Sequence, residues 1–236
     1  MKKLYQKEWF GIDFKSFTAL DSKKVADVVF YDRFYDEFYE KFNSFDNLPE
    51  DWKETKKQVA KLIIQMTDKD SKVLSIGSGN GYIEYLLWKE GRNITAIEPS
   101  VPATNFLRQN SNVKLYEGYF PSCLENANES SFDLAYMSGT EYIFNEKELL
   151  KLLEDIKDFN IKSFLLLSAS IYNNSLLSLI KDMIKKILSF IGLYELGQFW
   201  GYKRTPVELI QSFKKAGFKD IRSGFLERNC FWLEGN

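Results

Sequence analysis

The stretch Val73-Leu74-Ser75-Ile76-Gly77-Ser78-Gly79-Asn80-Gly81 decides how the rest of the chain is read. Val73, Leu74 and Ile76 have the apolar character of a buried parallel strand, predicted over Lys72–Ile76. Gly77, Gly79 and Gly81 let the backbone turn sharply and leave room for a ligand against the main chain. From Tyr82 to Glu90 the pattern is helical, so the free N–H groups of a first turn face into that loop. A second strand over Asn93–Ile97 ends on Glu98, and a carboxylate there suits a pair of ribose hydroxyls.

The glycine spacing narrows the ligand. A dinucleotide site uses G-x-G-x-x-G, whereas this chain has G-x-G-x-G followed by Tyr82. A phosphate-cradling loop ends in Gly-Lys-Ser/Thr, which is absent here. On these residues the chain resembles the class I S-adenosylmethionine-dependent methyltransferases of the small-molecule type. Their first motif runs hydrophobic-hydrophobic-acidic-x-Gly-x-Gly-x-Gly, and Ile97-Glu98-Pro99-Ser100 is similar to their second. The resemblance covers about residues 50–236. It implies an α/β, Rossmann-like doubly wound fold with a mostly parallel seven-stranded sheet and an antiparallel C-terminal strand. It also implies S-adenosylmethionine as cofactor.

Composition sets the outer bounds. With 236 residues, 44% hydrophobic and 28% charged, the chain suits one α/β domain with appendages. A net charge of -1 gives nucleic acid or an anionic membrane nothing to attract. The two cysteines, Cys123 and Cys230, lack metal-type spacing and fit a reducing compartment. There is no histidine, which removes His-based metal sites, triads and general bases. No metal is expected. Met1–Phe10 is charged and interrupted, unlike a signal peptide, and no apolar run approaches a membrane span, so the expected location is cytoplasmic.

Two units are expected: an N-terminal helical cap over 1–68 and a core over 69–236 with a helical insert at 171–203. In the cap, Tyr31, Phe34, Tyr35, Phe38, Tyr39 and Phe42 recur at offsets of three and four and predict one aromatic helix face over Tyr31–Phe45. A second helix is predicted over Asp51–Met66 after the break at Asp46-Asn47-Leu48-Pro49. The core alternates strand and helix: a helix over Ala103–Gln109, strand three at Val113–Tyr116, strand four at Phe132–Met137, a helix over Glu146–Asp158 and strand five at Ser163–Ser168. Thr205-Pro206 opens a helix that Gly217 stops, and a hairpin of Phe218–Phe225 with Cys230–Leu233 closes the chain. In the insert, Leu176, Leu177, Ile180, Met183, Ile184, Ile187, Leu188 and Ile191 form an apolar face opposite Lys181, Lys185 and Lys186. That face is expected to cap the pocket or to pair with a second copy as a homodimer.

The resemblance distributes the cofactor over Ser75, Gly77, Ser78, Gly79, Gly81, Glu98, Pro99, Tyr119, Met137, Ser138 and Tyr31. Two positions depart from the family pattern: Ser75 stands where the first-motif acid is usual, and Tyr119 where an adenine-binding acid is usual. An N-terminal helix closing over the cofactor would bring Tyr31, Tyr35 and Tyr39 to the site, although aromatics at helical spacing also serve as core. Glu141, Tyr142 and Tyr35 are the catalytic candidates, because a hydroxyl acceptor without histidine needs a carboxylate or a perturbed tyrosine or lysine. Tyr39, Trp200, Tyr202, Lys203 and Arg204 are the acceptor-binding candidates, the basic pair as a clamp for an anionic group. The expected activity is methyl transfer to oxygen or nitrogen of a small polar metabolite or sugar. The alternatives are a non-catalytic cofactor-binding protein on the same fold, and an RNA- or protein-directed methyltransferase.

Overall fold

A computed structural model describes residues 1–17, 23–127, 129, 131–172, 180, 183–185, 187–189 and 191–236. The chain opens with three short strands, β1 (Lys2–Gln6), β2 (Glu8–Trp9) and β3 (Ile12–Asp13), before helices α1 (Val28–Lys41) and α2 (Glu50–Met66). The alternating core then runs β4 (Lys72–Ile76), α3 (Tyr82–Lys89), β5 (Asn93–Glu98), α4 (Val101–Asn110), β6 (Lys114–Glu117), α5 (Ser122–Asn126), β7 (Phe132–Ser138), α6 (Glu146–Asp158) and β8 (Ile161–Ser168). The insert ends in β9 (Gln198–Lys203), and α7 (Pro206–Lys215), β10 (Arg222–Phe225) and β11 (Phe231–Gly235) follow.

Seven strands form the main sheet in the order β10-β11-β8-β7-β4-β5-β6. Strands β4 to β8 are mutually parallel, and β11 enters antiparallel between β8 and β10. Strand order reverses at β4: the chain moves outward to β5 and β6, then returns to β7 and β8 on the other side. Open α/β sheets bind ligands at the carboxyl ends of the strands flanking such a switch point. Alternate side chains feed two cores. Val73, Leu165 and Leu167 face the N-terminal helices with α3 and α4, whereas Leu74, Ile76, Phe164 and Leu166 pack with residues of α6 and α7.

The N-terminal region carries strands beside the helices of the expected cap. β1 pairs antiparallel with β9, with Leu4 opposite Gly201, so the far end of the insert is a strand. Phe199 and Trp200 explain it, since large aromatics favour a pleated surface. Phe199 packs on Tyr5 with centroids 5.4 Å apart. Helix α1 begins three residues earlier than the aromatic pattern suggested, because Asp27 caps it: its Oδ1 accepts from the Phe30 N–H at 3.1 Å. The aromatic face divides into two ridges of i, i+4 neighbours. Phe30, Phe34 and Phe38 are buried against Trp9, Phe10, Phe14 and Trp200. Tyr31, Tyr35 and Tyr39 form the adjacent ridge.

At the C-terminal end the expectations hold closely. Thr205 caps α7 in a reciprocal pair with Glu208, and Pro206 occupies its first turn. The closing hairpin of β10 and β11 follows. In the insert, Leu176, Leu177, Lys181 and Lys186 lie outside the described residues. Of the described residues of the expected apolar face, Ile180, Met183, Ile184, Ile187 and Ile191 are exposed and Leu188 is half-buried. Among the described residues no helix is long and apolar enough to cross a membrane.

Candidate active site

The glycine loop joins β4 to α3 at the switch point. Gly77 and Ser78 donate their N–H groups to the Ile97 carbonyl at 2.9 and 3.1 Å, tying the loop to the end of β5. Gly79 has φ 58°, and a Cβ there would lie 2.7 Å from the Tyr35 hydroxyl. Gly81 has φ 76°, and its Cβ would lie 2.5 Å from Leu107 Cδ1. The third glycine therefore serves contact between the start of α3 and α4, and does not line the cavity beside the loop. At the first turn of α3, whose N–H groups were expected to be free toward the loop, the Tyr82 N–H is taken by Asn80 Oδ1 at 3.2 Å.

Glu98 is the centre of the site. Its Oε2 accepts from the Gly79 N–H at 2.6 Å and its Oε1 from the Ser100 N–H at 3.0 Å. Each oxygen retains a second lone pair for a further donor. The side chain is buried, and burial pushes its pKa up to about 7 against the pull of these two N–H groups; the negative charges of Glu84 and Asp32 add to the rise.

Around Glu98, Ser78 Oγ, Tyr39 Oη, Ser100 Oγ and Asp32 Oδ1 are all buried without a hydrogen-bond partner. Leaving such groups unpaired costs about 1–3 kcal/mol each, so a cluster of them beside one carboxylate fits a polar ligand with several donors and acceptors. The tyrosine ridge of α1 covers this region. Tyr39 stacks on Phe106 of α4 with centroids 4.1 Å apart. Burial first, and then the negative charge of Glu98, raises the pKa values of Tyr35 and Tyr39. Tyr31 Oη lies 2.9 Å from Tyr142 Oη, and burial also drives both of these phenols upward.

Ser75, standing in the usual place of an acid, donates to Glu84 Oε1 at 2.5 Å, and Tyr136 donates to the same oxygen. Glu84 lies one turn into α3 and is completely buried, with burial raising its pKa. A carboxyl thus reaches the vacated position from the helix instead of the strand. The signal was present in the sequence as an acid within the otherwise uncharged run Tyr82-Ile83-Glu84-Tyr85-Leu86-Leu87. Lys56, on α2, also reaches the site and bonds Ser138 Oγ at 3.2 Å. It is inconspicuous in sequence because α2 carries lysines throughout.

A cavity of about 430 Å³ lies beside Glu98 and the glycine loop, within the ~300–1,000 Å³ usual for small-molecule sites. Ser75, Gly77, Ser78, Gly79, Glu98, Pro99, Ser138, Tyr31, Tyr35, Tyr142 and Trp200 all line it. Trp9, Phe10, Phe34, Phe38 and Trp52 give it an aromatic wall.

Other expected site residues lie elsewhere. Met137 is buried in the opposite core, because successive residues of β7 face opposite sides of the sheet. Tyr119 is 59% exposed and stands apart from the cavity lining. Glu141 is buried, accepts from Ser168 Oγ and does not line the cavity. Arg204, expected to clamp an anion, donates instead to the carbonyls of Glu141 at 3.0 Å and Phe144 at 2.5 Å. Its guanidinium holds the turn after β7 against the end of β9. Tyr202 packs on Phe199, Lys203 lies opposite Lys2 in the β1–β9 pair, and neither lines the cavity. Tyr39 stacks on Phe106 and is also absent from the lining.

No family model and no curated protein sequence matches this chain. Solved structures do. A SAM-dependent methyltransferase from Archaeoglobus fulgidus is 16% identical with a TM-score of 0.61, over 85% of this chain and 98% of that one. Magnesium protoporphyrin IX methyltransferase from Synechocystis PCC 6803 with bound SAH is 13% identical with a TM-score of 0.62, over 88% of this chain and 97% of that one. Human N-acetylserotonin methyltransferase in complex with SAM is 15% identical with a TM-score of 0.59, over 94% of this chain and 61% of that one. The sheet order, the antiparallel β11 and these likenesses agree: the chain has the fold of the class I S-adenosylmethionine-dependent methyltransferases.

Proposed function

We propose that the protein is an S-adenosylmethionine-dependent methyltransferase acting on oxygen or nitrogen of a small acceptor. The observation that carries this reading is the set of unpartnered buried polar atoms around Glu98 at the switch point. Glu98 would accept from the ribose hydroxyls, Ser78 would add a further nucleoside contact, and Pro99 would lie against the adenine. When bound, the cofactor supplies an activated methyl group on a sulfonium. The residues then have three tasks: to hold the acceptor in line, to exclude water and to leave the proton a route out. The aromatic wall and the Tyr31–Tyr142 pair serve the first two.

Neither tyrosine of that pair is a base near neutral pH, because burial raises both phenols. They are donors that orient the attacking atom. This suits a nucleophile that arrives deprotonated or loses its proton readily, such as an amine or a phenol. The wall of Trp9, Phe10, Trp52 and Trp200 favours an acceptor with a flat, apolar body over a sugar. An RNA-directed enzyme fits less well, since the cavity is enclosed by aromatic side chains and carries no basic stripe among the described residues. The proposed small-molecule enzyme would work in the cytoplasm.

The test is release of S-adenosylhomocysteine in the presence of aromatic amines, phenols and sugars. Turnover with a flat acceptor supports the proposal. Cofactor binding without turnover on any of the three classes would instead indicate a binding protein on this fold.

A further inference from the structure

Lys56 has no role in the nucleoside contacts described above. Its Nζ donates to Ser138 Oγ at 3.2 Å and lies 5.3 Å from the centroid of the Trp52 ring. No carboxylate among the described residues comes within ion-pair distance of it, whereas Lys53 and Lys57 on the same helix both pair with Glu50. It is also the one lysine or arginine among the described residues that line the cavity. An ammonium has three donors, and here one of them meets a neutral hydroxyl. Burial lowers its proton affinity, and the negative charges of Cys230, Glu84 and Glu141 oppose that fall only in part. The groups that face it, Cys230, Glu84 and Glu141, are themselves buried with raised pKa values; Ser75 and Tyr136 donate to Glu84 Oε1 and Ser168 to Glu141 Oε1, while the Oε2 atom of each acid has no partner and lies beyond ion-pair distance of Lys56.

We infer that Lys56 is the anion receptor of the cavity and that its ligand is a carboxylate. A single ammonium matches a monoanion; a phosphate is usually met by several N–H groups or by a guanidinium fork. The position also fits. Ser138 ends β7, and β4 separates β7 from the β5 strand that carries Glu98, so the anion lies about 10 Å across the sheet from the ribose contact. This inference rests on the proposed function for what delivers the carboxylate. Either the amino-acid end of the cofactor or an acceptor bound beside it supplies the same chemistry.

The experiment is calorimetry on the full chain and on Lys56→Met and Lys56→Arg. One arm compares S-adenosylhomocysteine with 5′-methylthioadenosine, which lacks the amino-acid carboxylate. The other compares benzoate with neutral benzamide, with and without S-adenosylhomocysteine present. Lys56 should confer at least about a tenfold preference for the carboxylate ligand in one of the two arms. Lys56→Met should abolish that preference and Lys56→Arg should keep part of it. The first arm assigns the carboxylate to the cofactor and the second to the acceptor.

Undiminished 5′-methylthioadenosine binding in Lys56→Met shows that the variant is folded. A carboxylate preference that is absent from both arms, or that survives in Lys56→Met, overturns the inference. If neither nucleoside binds the unmodified chain, the functional reading fails, while the benzoate comparison still decides the role of Lys56.

Discussion

Glu98 ties stability and ligand binding to pH in opposite senses. Its folded pKa of about 7 lies above the ordinary 4.5, so the folded protein prefers the protonated acid. The associated stability is fully present below pH 4.5 and is lost as pH rises through 7. Between pH 5 and 8 the ligand-free protein should lose about 2–3 kcal/mol from this one group, since each tenfold change in proton affinity is worth a little over about 1 kcal/mol. Glu98→Gln cannot titrate, so denaturant unfolding of both proteins at pH 5, 6, 7 and 8 isolates the effect. The wild-type curve should fall relative to the variant by that amount, whatever the constant offset between them.

Cofactor binding should run the other way. Ribose hydroxyls donate to the ionised carboxylate, so S-adenosylhomocysteine should bind about tenfold more weakly at pH 6 than at pH 8. In Glu98→Gln that pH dependence should vanish. Parallel unfolding curves for the two proteins would refute the reasoning, as would pH-independent binding by the wild type.

Gly81→Ala forces a methyl onto Leu107 in a left-handed backbone and should lower stability by about 2–4 kcal/mol, read by thermal or urea unfolding. Glu84→Gln keeps an acceptor for Ser75 and Tyr136 and replaces an acid with a raised pKa. It should cost less than about 1 kcal/mol, whereas Glu84→Ala should cost about 2–4 kcal/mol in the same assay. Tyr39→Phe removes a buried hydroxyl with no partner, so the ligand-free protein should be about 1–3 kcal/mol more stable in urea unfolding. Arg204→Ala frees two carbonyls and should destabilise the fold by about 2–3 kcal/mol in urea, without altering the affinity for 5′-methylthioadenosine.

The parallel core was readable because each of its strands is a short apolar run bounded by a turn or helix signal, and the three glycines mark the switch point. Glu98 and Ser78 follow from that placement alone. The N-terminal strands were less readable because β1 is held by β9, nearly two hundred residues away, and no local pattern reports such a partner. The aromatic ridge on α1 gave the helix but not its two jobs: residues one position apart face the core and the site, and the sequence does not say where the boundary falls. Arg204 looked like an anion clamp because a basic residue beside aromatics reads the same whether its partner is a ligand or a carbonyl. Glu84 shows the reverse case, where an expected acid was missing from its strand and was supplied by the following helix.

The most direct test of the site is titration of S-adenosylhomocysteine into the wild-type chain and into Glu98→Ala. One ligand should bind per chain, and the variant should lose about 1.5–3 kcal/mol of affinity, roughly a tenfold to hundredfold weakening. No binding by the wild type, or equal affinity in the two proteins, would contradict the placement of the cofactor at Glu98.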